Sequence, residues 1–360
     1  MRVHEQQERE LIERVLLKYG ASPSAATIQA NWLVEADLRS QNSHGIRRLP
    51  ILAQRMGKGL IDPTTVGLGE WRTDSLLVVD GLRGFGPVVA ANAIEAMLAR
   101  VTSTGVAAAA IHNSNHVGVL ALYVESIAKK GKVGIAATTS EALVHPWGGR
   151  TAVIGTNPLA IGVPATPNPL VADIATGVVS MGLVLHRAEA GVALEPGWAL
   201  DSAGRPTVDP KAAADGAISP FGAHKGYALG LALEVMVATL TGSALGRAVR
   251  GTLDADDVCN KGDLFLCIDP EATGTADTLD AVSEYLHTVK AVAPQSGSDG
   301  VQLPGEPEQH QRAARLADGY EIPDLVWEAA SHLLDDGQGA SAVHSLDIGT
   351  KGPTMVPPRE

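Results

Sequence analysis

The stretch from residue 76 to residue 111 most constrains what this chain can fold into. Apolar runs at 76–79 and 106–111 flank a segment of helical apolar spacing at 88–103, which reads as a buried strand, a helix and a second buried strand. That order predicts an α/β protein. The turn before the helix, Gly84-Phe85-Gly86-Pro87, stands where a dinucleotide-binding fold carries its phosphate-binding glycines. Two details exclude that fold: Val89 fills the third glycine position, and Ser103-Thr104-Gly105 lies about 20 residues on, where an acidic residue should meet a ribose hydroxyl. No Gly-Lys-Ser/Thr phosphate loop and no GxSxG elbow is present either.

The flanking regions extend this reading. Residues 6–40 have helical spacing, and Ser22-Pro23 divides them into two helices. Further strands are predicted at 133–138, 160–163 and 170–174. From 226 to 240 apolar and small residues run all round the helical wheel, which predicts a central helix buried on every side. Residues 293–307 read as loop and 308–334 as amphipathic helix, and the Gly-, Ser- and Pro-rich segment 337–360 is expected to be a mobile tail.

With only 4% aromatic residues, the core must come from Ala, Val, Leu and Ile, and a net charge of -12 argues against nucleic-acid binding. Cys259 and Cys267 are too few for a disulfide scaffold and lack CxxC spacing. The first 17 residues have no uninterrupted apolar core of a signal peptide, and no apolar run is long enough to span a bilayer. A reducing, cytoplasmic setting away from membranes is expected.

Three segments carry candidate chemistry. Ser43-His44-Gly45-Ile46-Arg47-Arg48 lies in a polar loop, where a histidine can exchange a proton near neutral pH and an arginine can hold a carboxylate on two prongs. The same residues also fit a helix-end histidine beside solvated arginines. His112-Asn113-Ser114-Asn115-His116 follows a predicted strand, the position where α/β proteins gather ligands. Its histidines are spaced as zinc ligands can be, but Asn113 occupies the place of the zinc-protease glutamate, so no metal is expected. Pro220 to Gly226, with His224 and Lys225, enters a helix whose first free N–H groups could receive a phosphate, though an ordinary helix entry reads the same way.

Taken with Gly155-Thr156-Asn157-Pro158, Asp173-Ile174-Ala175-Thr176 and Pro304-Gly305-Glu306, these motifs resemble the type-2 malate/L-lactate dehydrogenase family. That family includes ureidoglycolate and sulfolactate dehydrogenases, diketogulonate reductase and piperideine-2-carboxylate reductase. The resemblance implies a non-Rossmann, NAD(P)-binding mixed-sheet α/β domain at 73–305, a helical domain built from both chain ends (1–72 and 306–336), and a homodimer. It implies NAD or NADP as cofactor and a small carboxylate as substrate. Hydride would pass between nicotinamide and the alpha carbon of a 2-hydroxy or 2-oxo acid. Reduction of a cyclic imine such as pyrroline- or piperideine-2-carboxylate is the second reading. An inactive cofactor-binding regulatory protein is the third, and the intact Ser43, His44, Arg48 and His116 argue against it.

By position the resemblance makes Ser43 and His44 the acid/base pair, with His116 the rival acid/base, and puts Arg48 and Ser140 on the substrate. It puts His116, Val117, Gly118, Val119, Leu120, Asp173, Ile174, Ala175, His224, Lys225, Gly305, Glu306, Pro307 and Glu308 on the cofactor. The sequence departs from the family at Leu183, where a Lys or Asp is usual. In the reductase branch that Asp completes a Ser-His-Asp relay, so a relay here needs another carboxylate; this weakens the imine-reduction reading, and Leu183 marks either a bulkier or less polar substrate or a member with altered chemistry.

Overall fold

The computed structural model describes residues 1–275 and 278–335, so the tail expected from residue 337 lies outside the described residues. The chain opens with β1 (Arg2–Val3), α1 (Glu5–Lys18) and α2 (Pro23–Leu38). The two helices part where the sequence predicts: the Ser22 hydroxyl accepts the Ala25 N–H at 3.3 Å, and Pro23 takes a first-turn position where its missing N–H costs nothing. A polar loop leads to α3 (Leu49–Gly57), then β2 (Leu68–Trp71), β3 (Leu76–Asp80), α4 (Gly86–Thr104) and β4 (Val106–His112). Next come α5 (Ala121–Ala128), β5 (Val133–Thr138), β6 (Leu159–Val163) and β7 (Leu170–Ile174).

A smaller unit follows, made of α6 (Met181–Ala190), β8 (Ala199–Leu200), β9 (Pro206–Thr207), α7 (Pro210–Ala214) and β10 (Ala217–Ile218). The chain then runs through α8 (His224–Thr241), β11 (Asp263–Ile268), α9 (Thr278–Lys290), α10 (Glu306–Asp318), β12 (Tyr320–Glu321) and α11 (Asp324–Asp335).

The main sheet has seven strands in the order β2-β3-β4-β11-β5-β6-β7. Only β3 and β4, joined through α4, are parallel; every other pairing in that sheet is antiparallel. Side chains alternate between its faces: Ala136 and Phe265 pack with α4 and α5, while Ala137 and Leu264 meet Leu233 and Val237 of α8. A second core joins α1, α2, α3 and α11 to Phe85 and Val88 at the start of α4. The chain ends meet where β1 pairs antiparallel with β12.

Two expectations change. The helix at 308–334 is two helices, because Gly319 takes a positive φ of 70° and turns the chain into β12. α8 is not buried on every side: Leu231, Val235 and Leu240 are exposed, the last at 50%. Its inner side covers the sheet, and its outer side carries apolar residues that remain exposed among the described residues. β11, the central strand, went unread in the sequence although its Leu-Phe-Leu-Cys-Ile run is apolar enough.

α8 is seated closely at its start. A Cβ on Gly226 would stand 2.3 Å from the Phe221 carbonyl oxygen and 2.7 Å from its nitrogen, and that nitrogen is itself bonded to the Thr176 carbonyl at 3.0 Å. Gly226→Ala is therefore expected to cost about 1–3 kcal/mol by overpacking, read as a lower midpoint in chemical denaturation. An unchanged midpoint would mean that the helix slides without loss.

Candidate active site

The loop carrying Ser43, His44 and Arg48 is held from below by Asp37, near the end of α2. The Asp37 carboxylate accepts the Ile46 N–H at 2.6 Å and fills the space a Gly45 side chain would need, its Oδ2 lying 1.8 Å from an ideal Cβ there. Gly45 is therefore a packing requirement of the motif. Burial pushes Asp37 up to about 6, and burial together with the Asp37 charge pushes Glu8 well above the ordinary carboxylate range. The Tyr320 hydroxyl donates to Glu8, so the support under the loop reaches from one chain end to the other.

His44 and His116 meet in one pocket with their ring centroids 5.2 Å apart and their planes 27° from parallel. Arg48, Arg55, Trp32, Asn115 and Thr252 also line it. Both histidines are half-buried and face the pocket. Desolvation first, then the Arg48 charge, pushes His44 down to about 4; the same causes, with the neighbouring His44, hold His116 well below the usual histidine range. Both rings are neutral at pH 7. His44 Nδ1 lies 3.0 Å from the Ser43 hydroxyl, which can donate or accept, leaving Nε2 for a substrate. His116 Nδ1 accepts the Gly118 N–H at 3.2 Å. A neutral ring that accepts at Nδ1 carries its proton on Nε2, so His116 is a donor.

The turn that imitates a dinucleotide fingerprint is the seat of His116. A Cβ on Gly86 would lie 2.3 Å from the His116 carbonyl oxygen. Asn115, buried beside it, donates to the Arg83 carbonyl at 2.7 Å and the Gly84 carbonyl at 3.1 Å. Its own carbonyl accepts Arg55 Nη2 at 3.0 Å.

Arg55 was not singled out in the sequence. Its remaining donors go to the carbonyls of Asp254, at 2.7 Å, and Asp257, at 3.1 Å, so its fork is committed to holding the 251–257 strap over the pocket. Among the described residues the Arg48 guanidinium is tied only to the Thr252 carbonyl, at 3.1 Å. Burial pushes it down to about 10 and the nearby Glu141 partly offsets this, leaving a charged guanidinium with donors to spare. Glu141, also unread in the sequence, fixes the strap by accepting Thr252 N, Thr252 Oγ1 and Leu253 N at 2.8, 3.0 and 2.9 Å.

Ser140 is not among the residues lining this pocket. Its hydroxyl accepts the Thr156 N–H at 2.9 Å, and its N–H donates to Asn157 Oδ1 at 3.2 Å. Asn157 in turn donates to Glu234 of α8 at 2.7 Å, and Gly155 N–H donates to the same carboxylate at 3.1 Å. The only sign of Glu234 in the sequence is a lone charge inside an apolar helix. Leu183 lies in the first turn of α6, where neighbouring Gly182 touches Ser43: a Cβ on Gly182 would be 2.6 Å from Ser43 Cβ. Among the described residues no carboxylate bonds to His44, so no Ser-His-Asp relay forms in this arrangement.

The segments expected at a cofactor converge on β7. The Asp173 carboxylate accepts the Ala121 N–H at 2.8 Å and so caps α5. Asp173 is exposed along one side, yet desolvation against the α5 backbone, with the Glu308 charge second, pushes it up to about 6. Gly305 packs on Val171, and the residues entering α8 bond to Thr176. Val117, Val119 and Leu120 point into the core, so a ligand could meet that segment only at its backbone and at Gly118. Ile174, His224 and Lys225 are exposed. The Glu306 carboxylate is already occupied by the Leu303 N–H and Lys290, and Pro307 serves in the first turn of α10. An exposed lysine at a helix start, an exposed apolar residue and glycine-lined backbone suit a dinucleotide with charged phosphates and flat rings.

A family model described as malate/L-lactate dehydrogenase matches residues 3–330. The chain belongs to the malate/L-lactate dehydrogenase family. It is thereby an oxidoreductase. Within this family it is 35% identical to an L-sulfolactate dehydrogenase of Methanothermobacter thermautotrophicus over 91% of this chain and 95% of that one. A Delta(1)-pyrroline-2-carboxylate reductase of Burkholderia ambifaria is 34% identical over 89% and 94%. The crystal structure of a dehydrogenase from Sinorhizobium meliloti superposes with a TM-score of 0.90 at 47% identity, covering 93% of this chain and 98% of that one. No helix among the described residues is long and apolar enough to cross a membrane.

The electrostatics of the pocket can be read directly. In side-chain 15N NMR the His44 ring is expected to titrate near 4, neutral above that pH and charged below it. A midpoint near the ordinary value of about 6.5 would show that bulk water reaches the ring.

Proposed function

We propose that this enzyme moves hydride between NAD or NADP and the alpha carbon of a small 2-hydroxy or 2-oxo carboxylate. One observation carries the reading: two neutral histidines of different bonding state share a pocket with an arginine that has donors to spare. Arg48 holds the carboxylate. In the direction of oxidation, His44 Nε2 takes the proton of the substrate hydroxyl while the bond to hydrogen at the alpha carbon breaks. The Ser43 hydroxyl accepts from His44 Nδ1–H before and after the transfer, which leaves Nε2 the unprotonated nitrogen that takes the proton. His116, fixed as an Nε2–H donor, steadies the substrate oxygen through its change from hydroxyl to carbonyl. Bound nicotinamide supplies the hydride acceptor, and the hydride donor in reverse. The strap pinned by Glu141 and Arg55 limits the access of water.

The depressed His44 pKa suits oxidation, since the base stays neutral down to about pH 4. In reduction, binding an anionic carboxylate on Arg48 offsets the charge that disfavours protonated His44. Reduction of cyclic imino acids is the second reading, supported by the similarity to a pyrroline-2-carboxylate reductase; the same carboxylate anchor and proton donor serve C=N and C=O. The two free, buried cysteines support a reducing, cytoplasmic setting.

The test follows loss of reduced-nicotinamide absorbance with NADH and NADPH against small 2-oxo acids and cyclic imino acids. His44→Ala is expected to lower kcat by two to four orders of magnitude, roughly the worth of a general acid/base, with cofactor affinity kept. His116→Ala should lower it less. If His116→Ala is the silent enzyme and His44→Ala stays active, the two roles are exchanged.

The exposed Leu231, Val235 and Leu240 on α8 support a homodimer that buries this face. Light scattering is expected to give twice the chain mass for the native protein and a single chain mass for Leu231→Asp/Val235→Lys. A native monomer would exclude it.

A further inference from the structure

The substrate pocket ends on one side chain. Trp32 of α2 borders the pocket of His44, Arg48 and His116, and it also borders a larger crevice between α2, α5 and α10 that reaches Leu122 and Gln309. Among the described residues it is the only one that lines both. The free space on the histidine side is about 20 Å³ and that of the crevice about 450 Å³.

The indole is held in place. Its ring centroid lies 5.1 Å from that of Tyr123, and it stands over Gly118, where a Cβ would come within 3.6 Å of its Cδ1. Gly118 has a φ of +76°, which a larger residue takes up only with strain, so the backbone keeps this approach open. The crevice beyond is polar but compensated: Arg312 pairs with Glu35 at 2.7 Å, Arg39 with Glu125 at 2.7 Å, and Lys129 with Glu125 at 2.6 Å. These charges satisfy one another and do not require an ionic ligand.

We propose that Trp32 is the specificity-determining wall of this enzyme, stopping the substrate chain that extends from the alpha carbon and restricting the enzyme to short-chain 2-hydroxy and 2-oxo carboxylates. This rests on the function proposed above. With the carboxylate on Arg48 and the oxygen between the two histidines, the remaining substituent meets the apolar side of the pocket, where the indole closes the way to the crevice. Removing the indole joins the two spaces. Trp32 takes no part in proton transfer, so its loss changes which substrates fit more than how fast a fitting one reacts.

The experiment compares wild type, Trp32→Phe and Trp32→Ala on a ladder of straight-chain 2-oxo acids from three to eight carbons, with NAD(P)H affinity and thermal midpoint measured for each. Calorimetric binding of oxamate and N-butyl oxamate, which are not reduced, gives a readout independent of turnover. Trp32→Ala is expected to raise kcat/KM for the long acids relative to pyruvate by roughly tenfold or more, the scale of one or two methylenes in a pocket. It should also favour N-butyl oxamate by a similar factor, with Trp32→Phe in between. A chain-length profile and an oxamate preference unchanged in a folded Trp32→Ala overturn the proposal. If that variant instead loses NAD(P)H affinity alone, the indole is a cofactor contact and the proposal is also overturned. If no protein turns over or binds any of these carboxylates, the proposed function itself fails and the proposal with it.

Discussion

The pairing of β11 between β4 and β5 is the constraint on which the site depends. β11 runs antiparallel to both, with Asp263 opposite Ile111 on one side and Thr138 on the other. The start of β11 and the ends of β4 and β5 therefore share one edge of the sheet. From that edge leave the loops bearing His116 and Ser140, and into it runs the strap that carries Thr252. Asp263 is buried there with Lys261 as its ion partner and the Thr138 hydroxyl donating to it at 2.6 Å. Such a pair adds little net stability, but removing either member would strand a buried charge. The sheet edge beneath the site is thus fixed by a contact that tolerates no partial loss.

A second constraint is close approach of backbone to backbone and of backbone to side chain. At Gly45 the Asp37 carboxylate occupies the space of the missing side chain, and at Gly86 the carbonyl of His116 does. These two glycines bring the histidine-bearing loops down onto α2 and the start of α4, which pack together in the second core. The two rings meet because their supports do.

Charge follows the same division between surface and site. The chain carries a net charge of -12, yet the pocket gathers Arg48, Arg55 and two neutral histidines. Arg55 is consumed by the strap and Asn115, so Arg48 is the cation left for an anion. Desolvation both keeps the histidines neutral and strengthens that single attraction.

Local signals determined much of this protein. The serine and proline at 22–23 set the break between α1 and α2, the apolar runs set β3, β4, β5, β6 and β7, and the Ser43-His44-Gly45 and Asn113 to His116 segments contain three residues that line the pocket, His44, Asn115 and His116. Local pattern could not determine what depends on distant partners. An apolar wheel such as that of α8 does not say whether its cover is the same chain or another, and the outer residues proved exposed. Gly319 could end one helix or kink it, and only the pairing of β12 with β1 decided. Arg55, Glu141 and Glu234 look like solvated charges because their partners lie far along the chain, and it is folding that turns each into a clamp. The state of the two histidines was likewise decided by the tertiary structure, since a ring's tautomer and pKa depend on the Gly118 N–H, the Ser43 hydroxyl and the Arg48 charge placed around it. Sequence chose the chemical groups; packing chose their protonation, their reach and their neighbours.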